Sequence, residues 1–577
     1  MSSYGFQWPR SEVGRKPFRG LLHLAGSAVA PGPSCGHNVT VSWAKVWYSP
    51  EPLGPMKKTL PGLIHHASDT LRSALQNGRV SNTILYVNAG ILVVLVAYFL
   101  LAPVGIIVSD LSDPHIREPG IPGSAVRLFY NLPPHYAEWA RERLKSDRAA
   151  ALSTDDISGT EWPIFGSVFY LWSVVSLQEA WERDPSLMDV EPKKYAREAV
   201  EAATRLVTDP EQASWVREHW GEDYLRRENV FYRMLFIAAL TCHARLTGSK
   251  ENLERLREQV EGLSAEIEKS PHGLLNDYPG QCYPADVLVA IACIRRADRM
   301  LGTDHSDFAE RAIRAFQGDG LDERGLVPYA AGASSGRPLG PSRGCANSYV
   351  SLFAPELWPE EARKWYELHE KHFWQERWGA VGFREFPADM EDRDWYIDVD
   401  AGPVMMGFGV AASAFGTGAA RVNGRFDHAY PLTAEMLVAS WPLPDGTLAM
   451  PRLLSNATDA PYLGEAAILY CLTRMPADRV EVQKGGELPA VVYLALFMAS
   501  GAGIFLIALS LLQVRRARRR QENLVVPHVR FQSALWLGLL LGAIGCLLVC
   551  RPAMAILLLL AAQLFPRSRP ARNGEAE

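Results

Sequence analysis

The sequence predicts an all-α fold, an (α/α)6 barrel of six helical hairpins with N-terminal and C-terminal transmembrane helices. Three observations predict it. Six short polar motifs, near Glu161, Arg227, Gln281, Arg343, Asp400 and Tyr462, each precede an apolar run. Their spacing of roughly 54 to 66 residues suits a helical hairpin repeat. Charged, amphipathic stretches alternate with the apolar runs, and long uncharged segments lie on either side of the repeat region.

Residues 1–82 are rich in Gly, Pro and Ser without a sustained period, which predicts a disordered segment. Met56-Lys57-Lys58 reads as a more natural start. Residues 83–108 carry no charge and are long enough to span a bilayer as an uncleaved anchor. A second span is predicted at 489–514. It is followed by the basic run Arg515 to Arg520 within a loop at 515–532. Residues 533–565 exceed one span and are interrupted only by Arg551-Pro552, so they predict a transmembrane hairpin. The tail at 566–577 carries Arg567, Arg569 and Arg572. Basic residues beside spans mark the cytoplasmic side. Both termini are therefore expected in the cytoplasm and residues 110–488 outside it, on the far side of the inner membrane in a Gram-negative cell.

Within 110–488 the six apolar runs are Val168–Val175, Met234–Thr241, Val287–Ile294, Ser348–Ala354, Val404–Phe415 and Ala466–Leu472. The amphipathic stretches are His135–Arg148, Lys193–Leu206, Lys250–Glu268, Asp304–Phe316, Pro359–His372 and Arg425–Ser440. In Lys250–Glu268, Leu253, Leu256, Val260 and Leu263 fall at helical spacing among charges. In a barrel the apolar helices line the inside and their polar starts collect at one rim. An open superhelix of hairpins is the alternative.

The rim concentrates chemistry at Asn276–Ile294. Asp277, Tyr278, Cys282, Tyr283 and Asp286 crowd one turn before an all-apolar helix. A helix N-terminus offers free N–H groups and partial positive charge, which favours anions and thiolates. The plain alternative is that Asp286 caps the helix and Cys282 is a small buried hydrophobe. Other helix starts add Glu161, Asn229 and Tyr232, then Arg343 and Asn347, then Tyr396, Asp398 and Asp400, and Glu465. Buried carboxylic acids have raised pKa values and can donate protons at neutral pH. Arg343 and Arg233 are expected to pair with acids, and a Cys282–Cys345 disulfide is an open alternative. The eight cysteines show no zinc spacing, so no metal site is expected. A net charge of −5 argues against a nucleic-acid partner.

Several of these motifs resemble the linalool dehydratase/isomerase family. They are Arg-Glu-Asn-Val-Phe-Tyr-Arg at 227–233, Thr247-Gly248-Ser249, the Pro-containing turn at 276–286, Leu301 to Asp304, and Asp398-x-Asp400-x-Gly402. The similarity covers roughly residues 160–445. It implies an extracytoplasmic (α/α)6 barrel that needs no cofactor. It also implies protonation and removal, or shift, of the hydroxyl of an isoprenoid alcohol in an apolar pocket. Two departures stand out. The family's two active-site cysteines, nine residues apart, align with Asp277 and Asp286, and its catalytic histidine aligns with Leu235.

The expected enzyme is a membrane-anchored lyase or isomerase acting on a small apolar or isoprenoid alcohol. Asp286 or Asp277 is the general acid, with Cys282 beside them. Tyr232, Tyr278 and Asp400 position hydroxyl and water, and Asn229, Arg343, Asn347, Tyr396, Asp398 and Glu465 complete the substrate site. The partners are the substrate and the lipid bilayer, with a homo-oligomer open. One alternative is a carbohydrate-active enzyme. It would pair Asp286 with Asp400 or Glu465 and use Trp162, Trp172 and Trp395 as sugar platforms. Another is a non-catalytic membrane-tethered scaffold.

Overall fold

A computed structural model describes residues 78–146, 148–154, 156–390, 394–455, 458–519, 524–525, 529–548, 552–565 and 569–570. The disorder expected for 1–82 lies, apart from 78–82, outside the described residues. The molecule is mostly helical. Six of its helices carry the predicted apolar runs: α4 (Ile157–Arg183), α6 (Val230–Thr247), α8 (Pro284–Leu301), α10 (Gly344–Leu357), α12 (Val410–Val422) and α14 (Leu463–Thr473). They alternate with amphipathic helices α3 (Gly123–Lys145), α5 (Arg197–Thr208), α7 (Leu253–Lys269), α9 (Ser306–Ala312), α11 (Pro359–Phe373) and α13 (Phe426–Ser440).

The apolar composition dictates the packing. Val287 to Ile294 is buried on every side of α8, as an all-round apolar helix must be. On α7 only one face is buried, the Leu256, Val260, Leu263 and Ile267 stripe with Gln259 and Ser264. The apolar helices touch in succession, α4 to α6, α8, α10, α12 and α14, and α14 returns to α4. Each amphipathic helix lays its stripe on this inner set, for example α3 on α14 and α5 on both α4 and α6.

The predicted run Val404–Phe415 is only partly helical. Its first half forms β4 (Gly402–Met405) and β5 (Phe408–Gly409), joined to β3 (Trp395–Asp398) in an antiparallel sheet. A second hairpin pairs β1 (Trp374–Arg377) with β2 (Ala380–Phe383). Both have two-residue turns with positive φ at each position: Trp378 and Gly379 in one, Met406 and Gly407 in the other. An X-Gly pair at that spacing is a hairpin signal that a continuous apolar run conceals.

Two helical stretches are long and apolar enough to cross a membrane, Ile84–Leu111 (28 residues) and Ala490–Arg515 (26 residues). The first comprises α1 (Gly78–Val96), a π-helical turn and α2 (Ala102–Leu111), and the second belongs to α15 (Ala490–Arg519). Two helices of the predicted third region, α16 (Val529–Leu548) and α17 (Pro552–Ala562), pack on each other. Residues 549–551 between them, which include the expected Arg551, lie outside the described residues, and α17 begins at Pro552. α17 is 11 residues, about 16 Å, well short of the ~30 Å hydrocarbon core. Asn88 in α1 ties this pair down: its amide donates to Phe565 O at 2.6 Å and accepts from Trp536 Nε1 at 2.7 Å.

Close approach fixes the start of α10. Gly344 N donates to Glu385 O at 2.8 Å, and a Cβ on Gly344 would lie 1.8 Å from Arg384 O. Gly344→Ala should therefore cost roughly 3 kcal/mol, as overpacking at a rigid backbone contact does. Urea unfolding of the purified chain checks it; an unchanged midpoint would contradict the packing described.

Candidate functional site

The turn before α8 is clipped onto the start of α6. Val230 N donates to Asn276 O, and the Glu228 carboxylate accepts from both Asn276 N (2.8 Å) and Asn276 Nδ2 (2.6 Å). The turn closes on itself through Asp277 N to Gln281 O at 2.8 Å, with Gly280 at φ 78. Trp220 Nε1 caps Asp277 O. These bonds fix the Asp277 carboxyl inward, where Oδ2 accepts from Tyr283 N at 2.7 Å and Oδ1 is buried without a partner among the described residues.

Four carboxyl groups converge here: Glu161 of α4, Asp277, Asp286 of α8 and Asp400 of the β3–β4 loop. Tyr283 lies among them, its phenol pushed up first by burial and then by the fields of Asp400, Asp277, Asp286 and Glu161. Asp286 is pushed up to about 8 by burial, then by Asp400 and Glu161. Asp277 is raised by burial and then by Asp286. Burial lifts Glu161 to about 7 against a hydrogen bond donated by the Tyr278 hydroxyl. Asp400 keeps an open face to solvent but is crowded by protein, and its carboxyl is raised too. Burial raises it first and the Asp398 charge adds to this, while the hydrogen bond from Tyr329 and the Arg343 charge both pull it down.

Asp286 differs from the other three. Its carboxyl makes no hydrogen bond among the described residues, while α8 begins at Tyr283 without a side-chain cap. The capping alternative for Asp286 therefore does not describe this helix. An aromatic cluster packs nearby. Tyr349 is held against Phe165 (6.0 Å between centroids) and Phe415 (5.5 Å), and Phe165 meets Phe231 at 5.7 Å. The Tyr349 hydroxyl is buried and unpartnered among the described residues, and it feels the Asp286 charge.

The rim thus brings together Asp277, Tyr278, Asp286 and Asp400 of the expected site, and adds Glu161, Tyr283, Tyr329 and Tyr349. Other expected members are engaged elsewhere. Tyr232 points outward and donates to Val207 O of α5 at 2.7 Å. Asn229 holds a left-handed conformation at φ 27, and its amide binds Tyr224 O. Asn347 bonds Val327 O and Arg343 O, each at 3.0 Å. Arg343 pairs with Glu385 (2.6 Å) and Asp398 (2.8 Å). Asp398 also accepts Asp400 N and Ala401 N, so it shapes the loop that delivers Asp400. Tyr396 packs edge-on against Phe386 near Arg343. Glu465 is fully buried on Arg452.

Cys282 corrects an expectation. It is buried, and burial with the Asp277 and Asp286 charges pushes its thiol far up, so it is no thiolate nucleophile. The helix terminus loses to desolvation here. Cys345 is a free thiol at 3.1 Å from Glu385, so the Cys282–Cys345 disulfide is not formed. Arg233 pairs with Glu266 at 2.9 Å. Among the described residues, no group of three or more His, Cys, Asp or Glu side chains is placed to hold a metal.

At the opposite, C-terminal ends of the inner helices lies a cavity of about 520 Å3, bordered by Trp172, Arg296, Glu356 and Tyr470. A larger one, about 670 Å3, lies beside α3 near Asp113 and Arg127. The first is bordered by Glu356, ion-paired with Arg296 and held below its usual value, and by Asp478. The second is bordered by Asp113 and Asp445 as well as by Arg127, which pairs with Asp110. What sets the rim apart is that four carboxyls raised above their ordinary value meet there, Glu161, Asp277, Asp286 and Asp400.

No family model and no curated protein matches this sequence.

The raised acids set a pH dependence. Folded Asp286 keeps its proton to about 8, whereas the unfolded chain releases it near 3.8. The folded state binds more protons between those values, so stability falls as pH rises through that window. The melting temperature should drop less steeply from pH 5 to pH 9 for Asp286→Asn than for the unmodified chain. Identical slopes would contradict a protonated Asp286.

Proposed function

We propose that this chain is a membrane-anchored, cofactor-independent lyase or isomerase that uses acid/base chemistry on an isoprenoid or other apolar alcohol. The observation that carries this reading is Asp286, without a hydrogen bond or ion pair among the described residues, its carboxyl pushed up to about 8 by burial and by Asp400 and Glu161, close to Tyr349. The closed succession of inner helices, wrapped by amphipathic ones, supports an (α/α)6 barrel as the scaffold. The motifs shared with the linalool dehydratase/isomerase family point the same way.

In this reading the Asp286 carboxyl gives its proton to the substrate hydroxyl as the carbon–oxygen bond breaks and water leaves. The faces of Phe165, Phe231 and Tyr349 stabilise the cationic carbon. A carboxylate, Asp286 itself or its neighbour Asp277, then takes a proton from the adjacent carbon, leaving an alkene. Return of water at another carbon gives isomerisation. Glu161 with Tyr278, and Asp400 with Tyr329, are hydroxyl–carboxyl pairs suited to holding the water. The carbohydrate reading has less support. Trp172 is buried among Phe169, Phe353 and Tyr470 and offers no platform, and Glu465 is committed to Arg452. A scaffold has no need of four acids gathered at one point, three of them without a basic partner.

For topology, the two candidate spans and the arginines after Val514 support cytoplasmic termini with the helical domain outside. An alkaline-phosphatase fusion after Glu487 should be active; an inactive fusion in an export-competent cell would overturn this orientation. For chemistry, Asp286→Asn keeps the side chain's size and removes the proton. Turnover of a tertiary allylic alcohol should fall roughly 100-fold or more, as for a lost general acid. Unchanged turnover would overturn the assignment.

A further inference from the structure

The sheet that delivers Asp400 has an unusual outer face. Trp395 and Met405 are cross-strand partners, as are Ile397 and Pro403. Trp395, Ile397 and Met405 are 67%, 74% and 48% exposed. Their inward neighbours Tyr396 and Asp398 turn to Phe386 and Arg343. A water-facing strand would carry polar residues at the outward positions. Contiguous exposed apolar surface marks a site of contact.

The two hairpin turns extend this face. Each puts a large apolar residue in the left-handed conformation ahead of glycine, Trp378 at φ 61 and Met406 at φ 53. Asn or Asp is the usual choice there, and bulky side chains rarely adopt it. Trp378 is 77% exposed. The Met406 turn adjoins the β1–β2 hairpin, since Gln375 Nε2 of β1 donates to Met406 O at 3.1 Å.

The apolar face is continuous with a candidate membrane span. Gly379 O, next to Trp378, accepts from Val491 N in the first turn of α15 at 3.0 Å. The α15 surface beyond carries exposed Tyr493, Leu494 and Phe497, which in a spanning helix meet lipid. A tryptophan beside the end of a span suits the bilayer–water boundary. The opposite end of the β3–β4 hairpin is the loop that seats Asp400 against Tyr329. Four-residue strands cover only about 10 Å between those ends.

We propose that the outer face of the β3–β4 hairpin, with the Trp378 and Met406 turns, lies in the surface of the lipid bilayer, so that the acid rim takes an amphiphilic substrate directly from lipid. The membrane contact rests on the span assignment proposed above, and the substrate route rests in addition on the acid-chemistry reading.

The test uses the full chain with Cys35, Cys546 and Cys550 replaced by serine, leaving the buried cysteines. Ile397→Cys, Met405→Cys and, as a reference on exposed α7, Glu261→Cys each carry an NBD fluorophore. Each is placed at one chain per disc in phosphatidylcholine–phosphatidylglycerol nanodiscs. Lipid carrying a doxyl quencher near the headgroup should quench the probes at 397 and 405 several-fold more than the probe at 261. Equal quenching at all three sites would overturn the proposal. So would shielding at 397 and 405 that appears only with more than one chain per disc, which would assign the face to a second copy. The probe reads position and not turnover. Its failure would leave the Asp286 chemistry standing, while inactivity of an otherwise quenched chain would strike the chemistry alone.

Discussion

Asp277 is buried, Glu161 and Asp286 are half-buried and crowded by protein, and no Arg or Lys contributes to holding any of them ionised. Helix dipoles do not compensate. Asp286 lies in the first turn of α8, where the N-terminus favours an anion by only ~0.3–1 kcal/mol. One pKa unit corresponds to ~1.4 kcal/mol. A rise from 3.8 to about 8 therefore exceeds the terminus effect severalfold, and the neutral acid wins. Elsewhere in the domain the opposite arrangement prevails: Glu356 is matched to Arg296, and Glu370 to Arg425.

The fold exists to hold that unfavourable arrangement. Inner helices apolar on every face supply the burial, and the turn at 276–281 is pinned to α6 by Glu228 so that Asp277 cannot swing out. Arg343 performs the converse service. By taking Glu385 and Asp398 it shapes the loop carrying Asp400, and its charge reaches Asp400 but does not figure at Asp286. Asp286, like Asp277 and Glu161, lies beyond that influence, and its carboxyl is pushed up to about 8. That asymmetry supports distinct roles for neighbouring carboxyls, one donating and others orienting.

The helical class, the alternation of buried and amphipathic helices, and Asp277, Tyr278, Asp286 and Asp400 could be read from the sequence, because apolar period and helix starts are local properties. Side-chain direction was not legible. Tyr232 and Phe231 are adjacent, but one step of about 100° on the helix sends Tyr232 to Val207 outside and Phe231 to Phe165 inside. Glu161 and Tyr349 lay within motifs flanking the inner helices, yet only the closed packing reveals which of their neighbours they meet. The strands at 402–409 were hidden because Val404–Phe415 reads as one apolar run, and apolarity alone does not separate strand from helix; the hairpin at 374–383 carries its signal in the Trp378-Gly379 turn.

The most direct measurement is infrared spectroscopy of the full chain in lipid nanodiscs at pH 7, comparing it with Asp286→Asn. A buried, protonated Asp286 predicts a carboxylic-acid carbonyl band that the substitution removes and that titrates away with a midpoint of about 8. Spectra without that difference, or a band that vanishes near pH 4, would show an ordinary ionised aspartate and contradict the acid at the centre of this site.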